Sequence, residues 1–206
     1  KSRSIRTEHR DSFTTSAMRT TTGLALSPKE TPQSVSVITK TQLEGRGISS
    51  LEDALRTTTG VTVLRDSDRA RFQSRGFYID QIEEDGISSS ISGFVGDTIH
   101  NAESLTDLAL YDHIEVVRGA TGLTQANGEP GGTVNAVRKR PTAERKLSGS
   151  LGFGRYDAYR AELDASGRLN ATGSIRGRFV AAGEKSGSFT RHVNSRQRLL
   201  YGVMDF

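Results

Sequence analysis

The sequence predicts two structural characters in succession: a small α+β unit with short helices, then a run of antiparallel amphipathic strands. Three observations carry this. Up to about residue 143 the apolar residues come in short runs that switch between strand and helix spacing. Beyond it, segments of about ten residues alternate apolar and polar side chains and are joined by Gly and Asn turns. The charge also changes sign: residues 1–136 hold 14 Lys/Arg against 18 Asp/Glu, a net of −4, whereas 137–206 hold 14 against 6, or +8.

Residues 1–30 are Ser/Thr-rich, charged and without periodicity, which predicts an extended or mobile arm. "SVSVIT" (34–39) alternates as a strand should. Thr39 and Gln42 then stand at capping-box spacing for a short helix. Ser50 can cap the next, with Leu51, Ala54 and Leu55 on one face and Gly60 as the terminating glycine. Strands are expected at 61–64, 71–77 and 81–87, then a loop, a short helix at 104–111 and strands around Ile114–Val117 and Thr133–Val137.

In the second part, Leu147, Leu151 and Phe153 share a face opposite Ser148 and Ser150. Tyr159, Ala161, Leu163 and Ala165 alternate with Arg160, Glu162, Asp164 and Ser166. Ile175 and Phe179 repeat the pattern against Arg176 and Arg178. "RQRLLYGVMDF" gives a fourth strand of ambiguous register. A membrane β-barrel and the edge of a soluble β-sandwich both leave this signature, and periodicity alone leaves both open.

The 206 residues are 33% hydrophobic and 6% aromatic, with 22 Gly, a thin core for a soluble enzyme but ordinary for a Gly-rich β protein. No apolar run is long enough for a transmembrane helix. No signal peptide is visible at Lys1, so the numbering is expected to start in a mature or trimmed chain. The absence of Cys removes disulfides, thiolate metal sites and Cys nucleophiles. "RGATGLTQANGEPGG" lacks the Gly-Lys-Ser/Thr of a phosphate loop, and "GSLGFG" lacks dinucleotide spacing. Asp66 and Asp68 stand at calcium-loop spacing without a third acid or closing Glu. His9, His100, His113 and His192 are scattered, which argues against a metal site. Arg138-Lys139-Arg140 has no interleaved aromatics, weak grounds for nucleic acid. No catalytic constellation stands out, so an enzyme is not expected.

Several stretches, read in order, resemble the plug domain of TonB-dependent outer-membrane receptors, especially those for ferric hydroxamate and pyoverdine-like siderophores. They are "ETPQSVSVIT", "LEDALRTTTGVTV", "SRGF", "EDGI" and "DLALYDHIEVVRGATGL" followed by "GEPGGTVNAVRKRPT". The resemblance covers about residues 20–143, and "GRYDAYRAELDASGRLN" onward looks like the first barrel strands. It implies an N-terminal arm (1–30), an α+β plug (31–143) with a small mixed sheet, and antiparallel strands of an incomplete transmembrane β-barrel (144–206). A plug sits in the water-filled lumen of a roughly 22-stranded barrel, which would suit its polarity.

The resemblance further implies capture of a ferric siderophore at the cell surface and uptake energised through TonB and its inner-membrane complex. Membrane lipid would surround the barrel in the bacterial outer membrane. Iron would be held by the siderophore's oxygens, so no cofactor or metal ligand is expected of the protein. Three plug loops, around Arg65–Arg71, Tyr78–Asp80 and Ile91–Val95, would reach the outer vestibule, with Arg69 and Phe94 the leading ligand contacts and Arg71 and Tyr78 behind them. Arg75, Glu115 and Arg118 fall at positions associated with anchoring the plug to the barrel wall. The family's short apolar TonB box is not recognisable in residues 1–20 and is expected upstream or removed. Four strands cannot close a barrel, so a piece of a receptor is expected. The rival reading is a stand-alone periplasmic binding or signalling module that reuses the plug fold.

Overall fold

The computed structural model describes residues 4–8, 10–66, 69–88, 107–120, 129–188 and 193–206, with Asp66, Arg69 and Ser88 described by backbone alone. The chain divides into two compact units, Lys1–Arg138 and Lys139–Phe206.

The first unit contains β1 (Ser34–Ile38), α1 (Lys40–Gly45), α2 (Leu51–Arg56), β2 (Thr62–Asp66), β3 (Arg69–Ser74), β4 (Phe77–Tyr78), β5 (Gln81–Glu84), β6 (Ile87–Ser88), a 3-10 turn at Leu108–Leu110, β7 (Tyr111–Arg118) and β8 (Gly132–Arg138). Five strands form a mixed sheet in the order β1-β7-β8-β5-β6, and β2-β3-β4 form a separate three-stranded sheet. Only the β5–β8 pairing among these is parallel, with Ile82 opposite Val134.

Both helices start where spacing predicts. Thr39 accepts from the Gln42 N–H at 3.3 Å and the Gln42 side chain accepts from the Thr39 N–H at 3.2 Å, a reciprocal box. Ser50 caps α2, whose Glu52 and Asp53 in the first turn and Arg56 in the last suit the helix dipole.

The strands expected at 71–77 and 81–87 are each broken by a tight turn. Arg75-Gly76 (φ 54° and 87°) and Asp85-Gly86 (φ 53° and 82°) put two consecutive residues in the left-handed region, which reverses the chain into the β3–β4 and β5–β6 hairpins. The helix expected at 104–111 also gives way. Residues 104–106 lie outside the described set, Leu108–Leu110 make one 3-10 turn, and Tyr111 already belongs to β7.

β7 is the spine of this unit, with every residue from Tyr111 to Val117 buried. Its neighbour β8 starts where a Cβ on Gly131 would stand 2.1 Å from the Tyr78 carbonyl oxygen, and one on Gly132 2.1 Å from that of Val117. The paired glycines let three backbones meet there, a packing reason for their place in "GEPGGTV".

The second unit is a meander of β9 (Lys146–Gly154), β10 (Ala158–Arg168), β11 (Arg176–Gly187) and β12 (Asn194–Asp205). Its register places Leu147, Ala165, Phe179 and Gly202 in one cross-strand row and Leu151, Ala161 and Gly183 in another on the same face. β12 falls into phase, pairing Leu200 with Ala181 and Met204 with Gly177. That face is apolar yet open, with Leu151 77% and Phe153 79% exposed.

The opposite face carries Glu162, Asp164 and Arg178, and there Lys139, only 2% exposed, sets its Nζ 2.6 Å from Asp164. Thr142 donates its N–H to the Ser166 hydroxyl at 2.9 Å. These bonds place residues 139–142 with the strands, upstream of the boundary expected at 143.

Candidate functional site

The charged positions of β7 organise the first unit. Asp112, His113 and Glu115 are all buried, with His113 and Glu115 0% exposed. The imidazole bridges the carboxylates, Nδ1 lying 2.5 Å from Asp112 and Nε2 3.1 Å from Glu115. Two acids facing both ring nitrogens favour the imidazolium, which donates from each. Burial alone would push the His113 pKa down, but the flanking carboxylates more than offset it and raise it to about 9. Burial likewise pushes Asp112 and Glu115 up, and His113 with the N–H donors of the arm brings both below the usual carboxylate range.

Those donors come from a segment expected to be free. Thr7 and Glu8 donate their N–H groups to Asp112 at 2.8 and 2.9 Å. Arg19 and Thr20 donate theirs to Glu115 at 3.1 and 2.9 Å, and the Thr20 hydroxyl donates to the same carboxylate. Between these two moorings Ala17 and Met18 are fully buried, and Met18 bridges to Leu26. The described arm runs through turns and bends and is tied down, because a buried carboxylate without donors would be costly and the arm supplies them.

The Glu115 carboxylate, expected to anchor the plug to the barrel wall, is bonded within the unit to His113, Arg19 and Thr20. Sequence reasoning missed Asp112 and His113. The signal that could have found them is an Asp-His-x-Glu run inside an apolar strand, since a strand buried on both faces must satisfy such groups internally.

The two arginines are brought together. Arg118 ends β7 half-buried and donates to Ser34, Ser36 and the carbonyls of Thr59 and Val35, all neutral acceptors. Arg75 is exposed at its left-handed turn and has no hydrogen bond or ion pair among the described residues. Its Nη1 lies 2.9 Å from where a Cβ on Gly119 would stand. Burial and then the Arg75 charge draw the Arg118 pKa below its usual value. Among the described residues no counter-charge stands between these two neighbouring guanidiniums, an arrangement chemically suited to carboxylates.

Of the expected ligand contacts, Arg71 and Tyr78 meet. The Arg71 guanidinium stands 5.9 Å from the Tyr78 ring centroid, and the β3–β4 hairpin brings them together by pairing Gln73 with Tyr78. Arg69 opens β3, paired by backbone with Asp66, and its side chain lies outside the described residues. Phe94 lies outside them altogether.

The model of the TonB-dependent Receptor Plug Domain family matches residues 27–133, more than half of the chain, from before β1 to the first two residues of β8. The chain belongs to that family. Across 201 residues the plug and its following strands are 42% identical to the ferripyoverdine receptor of Pseudomonas aeruginosa, covering 97% of this chain and 24% of that protein. The ferric-pyoverdine BN7/BN8 receptor of Pseudomonas putida is 39% identical over 97% of the chain and 24% of its own length.

Among solved structures, the pyoverdine outer-membrane receptor of P. aeruginosa PAO1 bound to pyoverdine superposes with a TM-score of 0.92 at 40% identity, over 100% of this chain and 30% of that one. The alcaligin outer-membrane receptor of Bordetella pertussis gives 0.87 at 41%, over 98% and 34%. The plug and four strands thus span about a quarter of the length of the curated relatives. These relatives are receptors and not enzymes.

Proposed function

We propose that this chain is the plug and the opening wall strands of an outer-membrane receptor that takes up a ferric siderophore, of the pyoverdine class, with energy delivered through TonB. The observation that supports it most is the junction of two surfaces in one chain: a plug with a polar exterior and a sheet whose largest apolar side chains face outward. A water-filled barrel embedded in lipid is the environment that suits both. A chain that alternates in this way needs many further strands to close, since an open edge in a membrane is costly.

In this reading Arg69 and Phe94, then Arg71 and Tyr78, contact the chelate from the plug. A guanidinium pairs with oxygens of the ferric complex and an aromatic ring covers its organic shell. The Arg71–Tyr78 stack supports a role for the hairpin as one preformed element. Arg75 and Arg118 pair with carboxylates of the wall, and Glu115 acts from inside by holding the strand and the arm. The iron is cargo, held by the siderophore.

The test is uptake of radiolabelled ferric pyoverdine by a receptor-deletion strain carrying the full-length receptor. Uptake should require both the receptor and TonB, and uptake indifferent to either overturns the reading. Arg69→Ala and Phe94→Ala should each weaken chelate binding by roughly 5- to 150-fold, about 1–3 kcal/mol. Unchanged affinity in both, with normal expression, removes them from the site.

A further inference from the structure

We propose that Asp80 is a positioning residue of the chelate site, fastening the end of β4 to the approach to β8 so that Tyr78 stays stacked on Arg71. This rests on reading Arg71 and Tyr78 as chelate contacts, and its test separates the two claims.

β4 has little of its own to hold it. It is two residues long, lies at the edge of its sheet, and pairs with β3 through Ser74–Phe77 and Gln73–Tyr78. A hairpin of that length is marginal in water without further packing. Just past it, Ile79 donates its N–H to the Phe72 carbonyl at 2.9 Å, and both side chains are buried. That fixes one side of the segment. Arg71 and Tyr78 are only half-buried, with the guanidinium 5.9 Å from the ring centroid. Neither side chain makes a hydrogen bond or ion pair among the described residues. The guanidinium donors and the phenol hydroxyl are left for a ligand, and the geometry of the pair depends on the backbone beneath it.

Asp80 supplies the other side. Both its carboxylate oxygens lie 3.1 Å from the Glu129 nitrogen and accept its N–H. The bond sits one residue before Gln81, whose pairing with Thr133 opens the parallel β5–β8 ladder. The partner segment is anchored in turn, since Gly119 donates its N–H to the Gly131 carbonyl at 3.0 Å. Gly131 also lies flush against β4: a Cβ there would stand 2.1 Å from the Tyr78 carbonyl oxygen and 2.8 Å from that of Phe77. Tyr78 is thus held at its own carbonyl by close contact, and two residues on by a charge-assisted hydrogen bond. A side chain as short as that of Asp leaves the backbone at residue 80 little freedom once its carboxylate is engaged. Fixing the stack in advance lowers the ordering cost that binding would otherwise meet.

The experiment is a double-variant cycle on the detergent-solubilised full-length receptor, reading the dissociation constant of ferric pyoverdine labelled with radioactive iron. Tyr78→Ala should weaken binding roughly ten-fold and Asp80→Ala roughly five-fold. Asp80→Asn, whose amide oxygen still accepts the Glu129 N–H, should stay within about two-fold of the wild type. Added to Tyr78→Ala, Asp80→Ala should weaken binding no further, because the ring it positions is already gone. Wild-type affinity in Asp80→Ala, the same loss in both backgrounds, or no rescue by Asn overturns the inference while the chelate reading stands. Should Asp80→Ala not be recovered folded, Asp80→Ser, whose hydroxyl falls short of the same reach, takes its place in the cycle under the same criteria. Tyr78→Ala at unchanged affinity removes the hairpin from the chelate site, and the role of Asp80 with it.

Discussion

In the first unit β7 buries every side chain from Tyr111 to Val117, charged and apolar alike, whereas in the second Leu147, Leu151, Phe153 and Leu200 are among the most exposed residues. Yet both units bury an ionic cluster. In the plug one imidazole stands between two acids that backbone N–H groups also serve. In the strands one acid, Asp164, stands between two cations, Lys139 and Arg178, each with a nitrogen 2.6 Å from it. The same sequence habit, a charge alternating with apolar residues, thus has opposite meanings. In the plug it ties a distant segment to the core, and in the strands it marks the face turned away from the apolar side.

The largest expected effect comes from breaking these clusters. Asp164→Leu deprives two buried cations of their shared counter-charge and should cost about 3–5 kcal/mol. It would be read as lost yield of folded receptor and a lower urea midpoint. His113→Leu should cost less, because Asp112 and Glu115 keep the N–H groups of Thr7, Glu8, Arg19 and Thr20. Replacing Asp112 and Glu115 by Asn and Gln together with His113→Leu should recover much of that loss, since a fully neutral cluster leaves no orphaned charge. Should His113→Leu prove the more damaging of the two singles, the contrast in donor supply is wrong.

Next in size is the sidedness of the strands. Leu151→Arg puts a charge on the apolar face and should cost about 2–4 kcal/mol if the residue lies near mid-bilayer. The neighbouring Ser150→Arg, on the opposite face, should be nearly neutral. Equal penalties would mean that the two faces see the same solvent, and the wall reading of 144–206 would fall.

How much of this was legible follows from the range of the interactions. The helix caps at Thr39 and Ser50 and the alternation of β9 to β11 are encoded within a few residues and were read directly. The turns at Arg75 and Asp85 were run through as strand, because a non-glycine with positive φ leaves no strong local mark. The β12 register was undecided until Leu200 and Met204 found their partners in β11. The moorings of the arm join residues about a hundred positions apart, and no spacing rule reaches from Thr7 to Asp112. The clustering of Arg75 with Arg118 has the same cause. Only the family resemblance singled them out, together with Glu115, whose carboxylate the structure bonds within the unit.

The smallest effect distinguishes the clusters by pH. The folded pKa of His113 is raised from 6.5 to about 9, so the stability it contributes is fully present below 6.5 and lost as pH rises through about 9. Asp112 and Glu115 are lowered, so theirs is present above the ordinary carboxylate range and lost as pH falls through their depressed values. The arm is held most firmly between those limits, stays held at neutral pH, and loosens in alkali without unfolding the sheet. The Asp164 cluster has no imidazole, so β10 and β11 provide an internal control. Hydrogen exchange on the full receptor, corrected for intrinsic rates, should show protection around Thr7 and Thr20 falling between pH 8 and 10, a range set by the pKa of about 9, while β10 and β11 hold. In His113→Gln, which carries no charge at any pH, the arm should be less protected throughout and the alkaline step absent. An unchanged alkaline step in that variant would assign the titration elsewhere and leave β7 as a purely geometric mooring.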